Sequence, residues 1–189
     1  FEHPWARRGI VVPGLPILPH GTERHPVPGG GSRAVPVFKG DEISILDKEG
    51  LQAGELVFFG PDMRSDAGML GRTGHGRPAG LIAALANGSA SGARVLAALA
   101  ASGFDIESGD GITVLGNGSR AGDMESMVVQ EDGLLICAAP GGPMRPEAQD
   151  APGELILYIR RADPGQAKAG LLPPDPLADP LEDLNIQPG

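Results

Sequence analysis

Cysteine is nearly absent: Cys137 is the one thiol in 189 residues, so no internal disulfide framework can brace the chain. Aromatic side chains are almost as scarce, at 4%, with one Trp, one Tyr and five Phe. A core must therefore rest on Leu, Ile, Val and Ala. Positive charge is also in deficit, with 15 Lys and Arg against 24 Asp and Glu and a net charge of -9. That balance excludes nucleic acid as a partner, because neutralising phosphates takes clustered Lys and Arg. It equally disfavours an anionic membrane surface. The adjacent basic pairs, Arg7-Arg8 and Arg160-Arg161, are too small for either task. No apolar run approaches the roughly 20 residues of a membrane span. The first twenty residues interrupt their apolar part with prolines and show no small-residue cleavage site, so they do not read as a signal peptide. A cytoplasmic location is expected, and the Asn87-Gly-Ser and Asn117-Gly-Ser sequons are then chance matches.

Glycine and proline, by contrast, are abundant, at 30 and 19. Seven prolines precede Val37 and six follow Ala162, so the ends are unlike the middle. Residues 1–32 are expected to form an extended proline-rich arm, since proline fixes φ and removes a donor. Its Ile10, Val11, Val12, Leu15, Ile17 and Leu18 need an apolar surface, and Trp5 is a candidate anchor. Residues 33–162 read as one β-rich domain. Residues 163–189 read as an acidic proline-rich linker or docking tail, in which Leu177, Leu181 and Leu184 have helical spacing. Prolines 176 and 180 limit any helix there to one or two turns. The chain opens on Phe1 and closes on Pro188-Gly189, and is expected to be one piece of a larger assembly.

Within the middle, the alternating runs at 33–38, 42–47 and 55–59 predict three strands, with Lys39-Gly40-Asp41 as a turn. Pro78 opens a short helical pattern, and a second, alanine-rich one ends at Gly103. Four more strands follow at 111–116, 124–130, 133–140 and 154–161. Asn117-Gly118 and Asp132-Gly133 are hairpin-type dipeptides. The order predicts an α+β domain, mainly an antiparallel β barrel or two-layer sandwich, with two short helices on one side. No internal repeat is visible.

Two polar clusters stand out. Asp47, Glu49, Gln52 and Glu55 follow a predicted strand and could face a ligand, hold a cation or simply form a solvated turn with Gly50 at positive φ. Arg72, His75 and Arg77 lie in a glycine-rich loop before a helix, where an anion could settle. That loop lacks the Gly-Lys-Ser/Thr ending of a phosphate loop. The Gly116–Gly122 run has the wrong spacing and context for a dinucleotide fingerprint. Three of the four histidines (His3, His20, His25) fall in the arm, and Cys137 sits in an apolar strand, so no metal site is expected in this chain. No G-x-S-x-G elbow is present.

The run Val37–Phe59, with Asp47, Glu49, Gly50, Gln52 and nearby Glu55, resembles the signature of the urea carboxylase-associated domain family. Residues 133–161 resemble that family's closing strand, proline turn and final strand. The tail is similar to a connector in large bacterial proteins of the trimethylamine N-oxide demethylase type, where an aminomethyltransferase-like domain follows. The resemblance implies a two-part machine: a zinc-bearing domain releases dimethylamine and formaldehyde, and another captures the one-carbon unit on tetrahydrofolate. Zinc-bearing members carry a cysteine just before the late-turn proline. Here that turn is Ala138-Ala139-Pro140, with Cys137 two residues too early. The resemblance thus implies a non-catalytic accessory domain, with zinc and tetrahydrofolate in a partner domain or chain. Two alternatives stay open: an enzyme domain binding a small methylated amine through Asp47–Gln52 and His75, and a metabolite-sensing module.

Overall fold

The computed structural model describes residues 18–87, 90–116, 118–141 and 151–165. Trp5, Leu177, Leu181 and Leu184 lie outside them. Eight strands alternate inward and outward side chains with the two-residue period of a pleated sheet. They are β1 (Thr22–Val27), β2 (Ser32–Val37), β3 (Glu42–Asp47), β4 (Gly54–Phe59), β5 (Ile112–Val114), β6 (Met124–Val128), β7 (Gly133–Ala138) and β8 (Leu155–Arg160). A first sheet has the order β1-β8-β3-β6 and a second the order β2-β7-β4-β5, with every pairing antiparallel. The two face each other as a sandwich rather than closing into a barrel, and their strand order is that of a double-sheet jelly roll.

This order means that successive strands almost always change sheet. The Lys39-Gly40-Asp41 turn forms, with Gly40 at φ 87°, but it leads from the second sheet to the first. The connections containing Asn117-Gly118 and Asp132-Gly133 likewise cross between sheets instead of closing hairpins. A turn dipeptide reports local backbone preference alone. Which sheet a strand joins is decided by the apolar faces that must meet. Only β4 and β5 follow one another in the same sheet, and α1 (Ala79–Asn87) and α2 (Ala90–Ala101) lie between them in the chain.

The first strand begins well before Arg33. Thr22–Val27, read from sequence as part of the arm, pairs with β8 along its whole length. Pro26 is tolerated because β1 is an edge strand, and Pro36 sits in β2, the edge of the other sheet.

Inward residues such as Val37, Ile43, Ile45, Leu56, Phe58, Leu135, Leu157 and Ile159 fill the space between the sheets and are inaccessible to solvent. A second apolar layer lies outside the second sheet, where Val57, Phe59, Ile136 and Ala138 pack under Leu81, Ala84 and Leu85 of α1. Phe104 meets Phe59 edge to face at 5.3 Å. Covered on both faces, β7 and the Leu56–Phe59 part of β4 read as unbroken hydrophobic runs. The Pro78 carbonyl accepts the Ile82 amide at the start of α1. Past α2, Gly103 takes φ 90°, and the Phe104 amide returns to the Leu99 carbonyl, a glycine-terminated helix end.

Candidate functional site

Described parts of four connections, β1–β2, β3–β4, β5–β6 and β7–β8, meet at one end of the sandwich, where Gly30 bonds Ala139, Leu51 bonds Ser119 and Gln52 bonds Pro140 and Gly153. The turn after β3 organises that end. Asp47 is the last inward residue of β3 and is fully buried. Its Oδ1 accepts the Gly50 amide at 2.7 Å and the Glu49 amide at 3.2 Å. Its Oδ2 accepts the Gln52 amide at 3.0 Å and the Ser119 hydroxyl at 2.6 Å. Burial opposes ionisation, yet the Ser119 hydroxyl and the three amides outweigh it and hold this carboxyl below the usual range. Gln52, also buried, donates to the Ala53 and Pro140 carbonyls and accepts the Gly153 amide at 2.8 Å. It thereby joins the ends of β7 and β8 to the turn.

Gly50 takes φ 92°, and Leu51 after it takes φ 63°, a left-handed conformation that costs a leucine on the order of 1 kcal/mol. The Leu51 amide donates to the Ser119 carbonyl, while its side chain is 72% exposed. Beside it lies a shallow depression, wide open to solvent, lined by Leu115, Ser119, Asp123, Met124 and Glu125. Leu115 is left-handed too, at φ 60°, and Glu125 accepts its amide at 2.7 Å.

The residues nominated from sequence therefore fall in three places. Asp47 and Gln52 are internal braces of the turn, and Glu49 is exposed beside them. Glu55 points out of the other face, under α1, where its carboxylate accepts the Leu81 amide. Burial raises the Glu55 carboxyl above its ordinary range, with the Leu81 and Gly80 amides opposing that rise. Arg72, His75 and Arg77 lie along the β5 edge. There the His75 amide bonds the Gly111 carbonyl, and the Gly111 amide bonds the Gly76 carbonyl. Arg72 pairs with Glu125, and Arg77 with Glu107. The loop covers an edge strand, and the Glu55 carboxylate occupies the start of α1, the helix end where an anion could settle.

A further polar centre was not anticipated. Arg161, at 4% side-chain exposure, forks onto Glu23 at 2.8 and 2.9 Å and reaches Asp41, at 1%, through 2.7 Å. It also bonds the Pro36 carbonyl at 3.0 Å, and its guanidinium lies 5.4 Å from the Phe38 ring centre. The signal was the alternation itself. Extending the inward positions 43, 45 and 155, 157, 159 by one step lands on Asp41, Asp47 and Arg161.

Among the described residues no group of three or more His, Cys, Asp or Glu is arranged to hold a metal ion. No helix among them is long and apolar enough to cross a membrane. Cys137 faces the apolar core with no exposure, and burial pushes its thiol up to about 12. It should resist alkylation in the folded protein at pH 8 and react only on unfolding, by at least a hundredfold in rate when followed by peptide mass mapping.

Comparison with known proteins finds a trimethylamine-oxide aldolase of Ruegeria pomeroyi, 36% identical over 177 residues, which are 94% of this chain. The chain spans 22% of that protein's length. Among solved structures, a DUF1989 family protein from Silicibacter pomeroyi aligns with 76% of this chain and 80% of its own, at 16% identity and a TM-score of 0.46. No family model matches the sequence.

Proposed function

We propose that this chain is a non-catalytic accessory domain of a larger polypeptide that processes methylated amines, of the trimethylamine N-oxide demethylase type and of urea carboxylase-associated ancestry. The observation that carries this reading is how the sandwich uses its polar groups. Asp47 and Gln52, the best sequence candidates for ligand contact, spend their side chains on internal amides, carbonyls and the Ser119 hydroxyl. The space between the sheets, where a jelly roll could hold a ligand, is packed with aliphatic side chains and Phe58. The likeness to the trimethylamine-oxide aldolase supports this context, because the chain matches about a fifth of that protein's length.

Zinc does not fit the residues described here. The lone thiol is in the core, remote in character from a thiolate ligand, and alanines occupy the two positions before Pro140. Zinc and tetrahydrofolate belong, in this reading, to the remaining polypeptide or a partner chain. The exposed, strained Leu51 suits docking against that remainder: a rigid aliphatic knob keeps its ordering cost low on contact.

The reading is tested in the intact polypeptide with trimethylamine N-oxide as substrate. His75→Ala and Glu49→Ala should leave kcat and KM within about twofold. Loss of a general acid or base would cost roughly 10²–10⁴-fold, and a fall of that size with the fold intact would overturn the accessory role. Leu51→Glu, at an exposed tip, should lower the unfolding temperature of the whole assembly by several degrees. An unchanged temperature would show that this turn docks nothing.

A further inference from the structure

The second sheet is covered by α1, which packs on β2, β4 and β7, whereas no helix among the described residues packs comparably on the first. Strand register sets out the first sheet's outer face in rows. Met124, Leu46, Ile156 and Pro26 form one apolar row across all four strands. The next holds Ser126, Ser44, Tyr158 and Arg24, and the last Val128, Glu42, Arg160 and Thr22. Met124 and Val128 are 56% and 48% exposed. The polar members are largely self-satisfied: the Ser44 and Ser126 hydroxyls meet at 2.7 Å, and Arg160 pairs with Glu42. Covering this face therefore leaves few polar groups without partners.

We propose that the outer face of the first sheet is the seat of the chain's own N-terminal segment, residues 10–19. Three features select this occupant. Prolines at 13, 16 and 19 recur with the three-residue period of a polyproline II helix, so they share one ridge. Val12, Leu15 and Leu18 then share the second ridge, and Val11, Gly14 and Ile17 the third. All three are apolar, and a polyproline II segment has no hydrogen bonds of its own to lose when these ridges lie on an apolar surface. Secondly, the prolines bar the segment from a helix or a central strand but not from lying across a sheet. Thirdly, the segment is tethered in place. It enters β1, the edge strand of this same sheet, through a tight turn closed by the Thr22 amide on the Pro19 carbonyl at 3.0 Å, with Gly21 at φ 77°. At about 3.1 Å per residue, ten residues extend about 31 Å, against about 14–19 Å across four strands spaced about 4.8 Å apart. No linker is needed for it to reach β6.

Hydroxyl-radical footprinting of the intact polypeptide tests this, read at Met124, Val128, Leu15 and Leu18. The expected result is slow modification of all four in the native protein. Deleting residues 1–17 should raise the rate at Met124 and Val128 at least threefold, and Val128→Glu should release Leu15 and Leu18 by a similar factor. Cys137 and Phe58 peptides staying unmodified would show that the sandwich is intact in both variants. Full reactivity of Met124 and Val128 in the native protein would overturn the proposal, because the face would then be open. Protection that survives the deletion would also overturn it, by showing that another domain or a second copy covers the face. So would protection of Leu15 that ignores Val128→Glu.

Discussion

Replacing Arg161 with methionine is expected to destabilise the domain by about 3–5 kcal/mol, which corresponds to a fall in unfolding temperature of roughly 6–20 °C for a domain of this size. The guanidinium neutralises Asp41, which is buried, and Glu23, which is partly so, at 2.7–2.9 Å. Removing it strands a buried carboxylate that no water can reach. Asp41 cannot readily be given up either, because it also accepts the Phe38 and Ala162 amides at 3.0 Å. Arg161→Lys restores one charge but not the two parallel bonds to Glu23, so it should fall between the native protein and the methionine variant. Urea denaturation read by far-UV circular dichroism checks the order. Equal stability of all three would remove this network as a structural element.

Acidity gives the same network a second readout. The Arg161 bonds, aided by His25, hold Glu23 below its ordinary value of 4.5, against the opposing effect of burial. A depressed carboxyl contributes stability that is complete above the unfolded value and is lost as pH falls through the folded one. The native protein should therefore weaken below about pH 4.5. In Arg161→Met most of the Glu23 share of that loss disappears, so its stability falls less steeply with acid. Glu55 acts in the opposite sense. Its carboxyl is raised by burial, so its contribution is present at low pH and is lost as pH rises through the folded value.

Alternation made most strands legible, because inward Ile43 and Ile45 or Leu155, Leu157 and Ile159 must point to one core. β1 was hidden because Pro26 and Pro28 look like breakers, and nothing local says that the strand sits at an edge. Sheet membership was hidden for a similar reason. The Asp132-Gly133 dipeptide favours a tight reversal, but β6 and β7 present their apolar sides to opposite walls of one core. The site was legible as a set of residues and not as an arrangement. Asp47, Glu49, Gln52 and Glu55 are neighbours in the chain, yet Asp47 and Gln52 turn into the sandwich end while Glu55 emerges beneath α1. Ser119, which completes the Asp47 shell from 72 residues away, belonged to a glycine-rich run with no pattern of its own.

Asp47→Ala should cost about 3–4 kcal/mol, although all four side-chain hydrogen bonds of the residue go to loop groups and none to a strand. Each hydrogen bond to a charged group contributes about 1.5–3 kcal/mol, and these four share one carboxylate, so they do not add fully. The buried Gln52 amide and Ser119 hydroxyl are left without their acceptor, and the left-handed pair Gly50 and Leu51 loses what holds it. Asp47→Asn tests whether charge or shape matters. Its amide offers one acceptor where two are used and turns an NH2 toward donors, so it should recover less than half the loss. Ser119→Ala alone should cost about 1–2 kcal/mol. Combined with Asp47→Ala it should add little, leaving a coupling of about 1 kcal/mol or more in the double-mutant cycle. Full additivity would mean that the two side chains do not act as one unit, and the turn would then owe its shape to Gly50 alone. A coupled result places the stability of the β3–β4 turn, and the presentation of Leu51, in a contact between two distant parts of the chain.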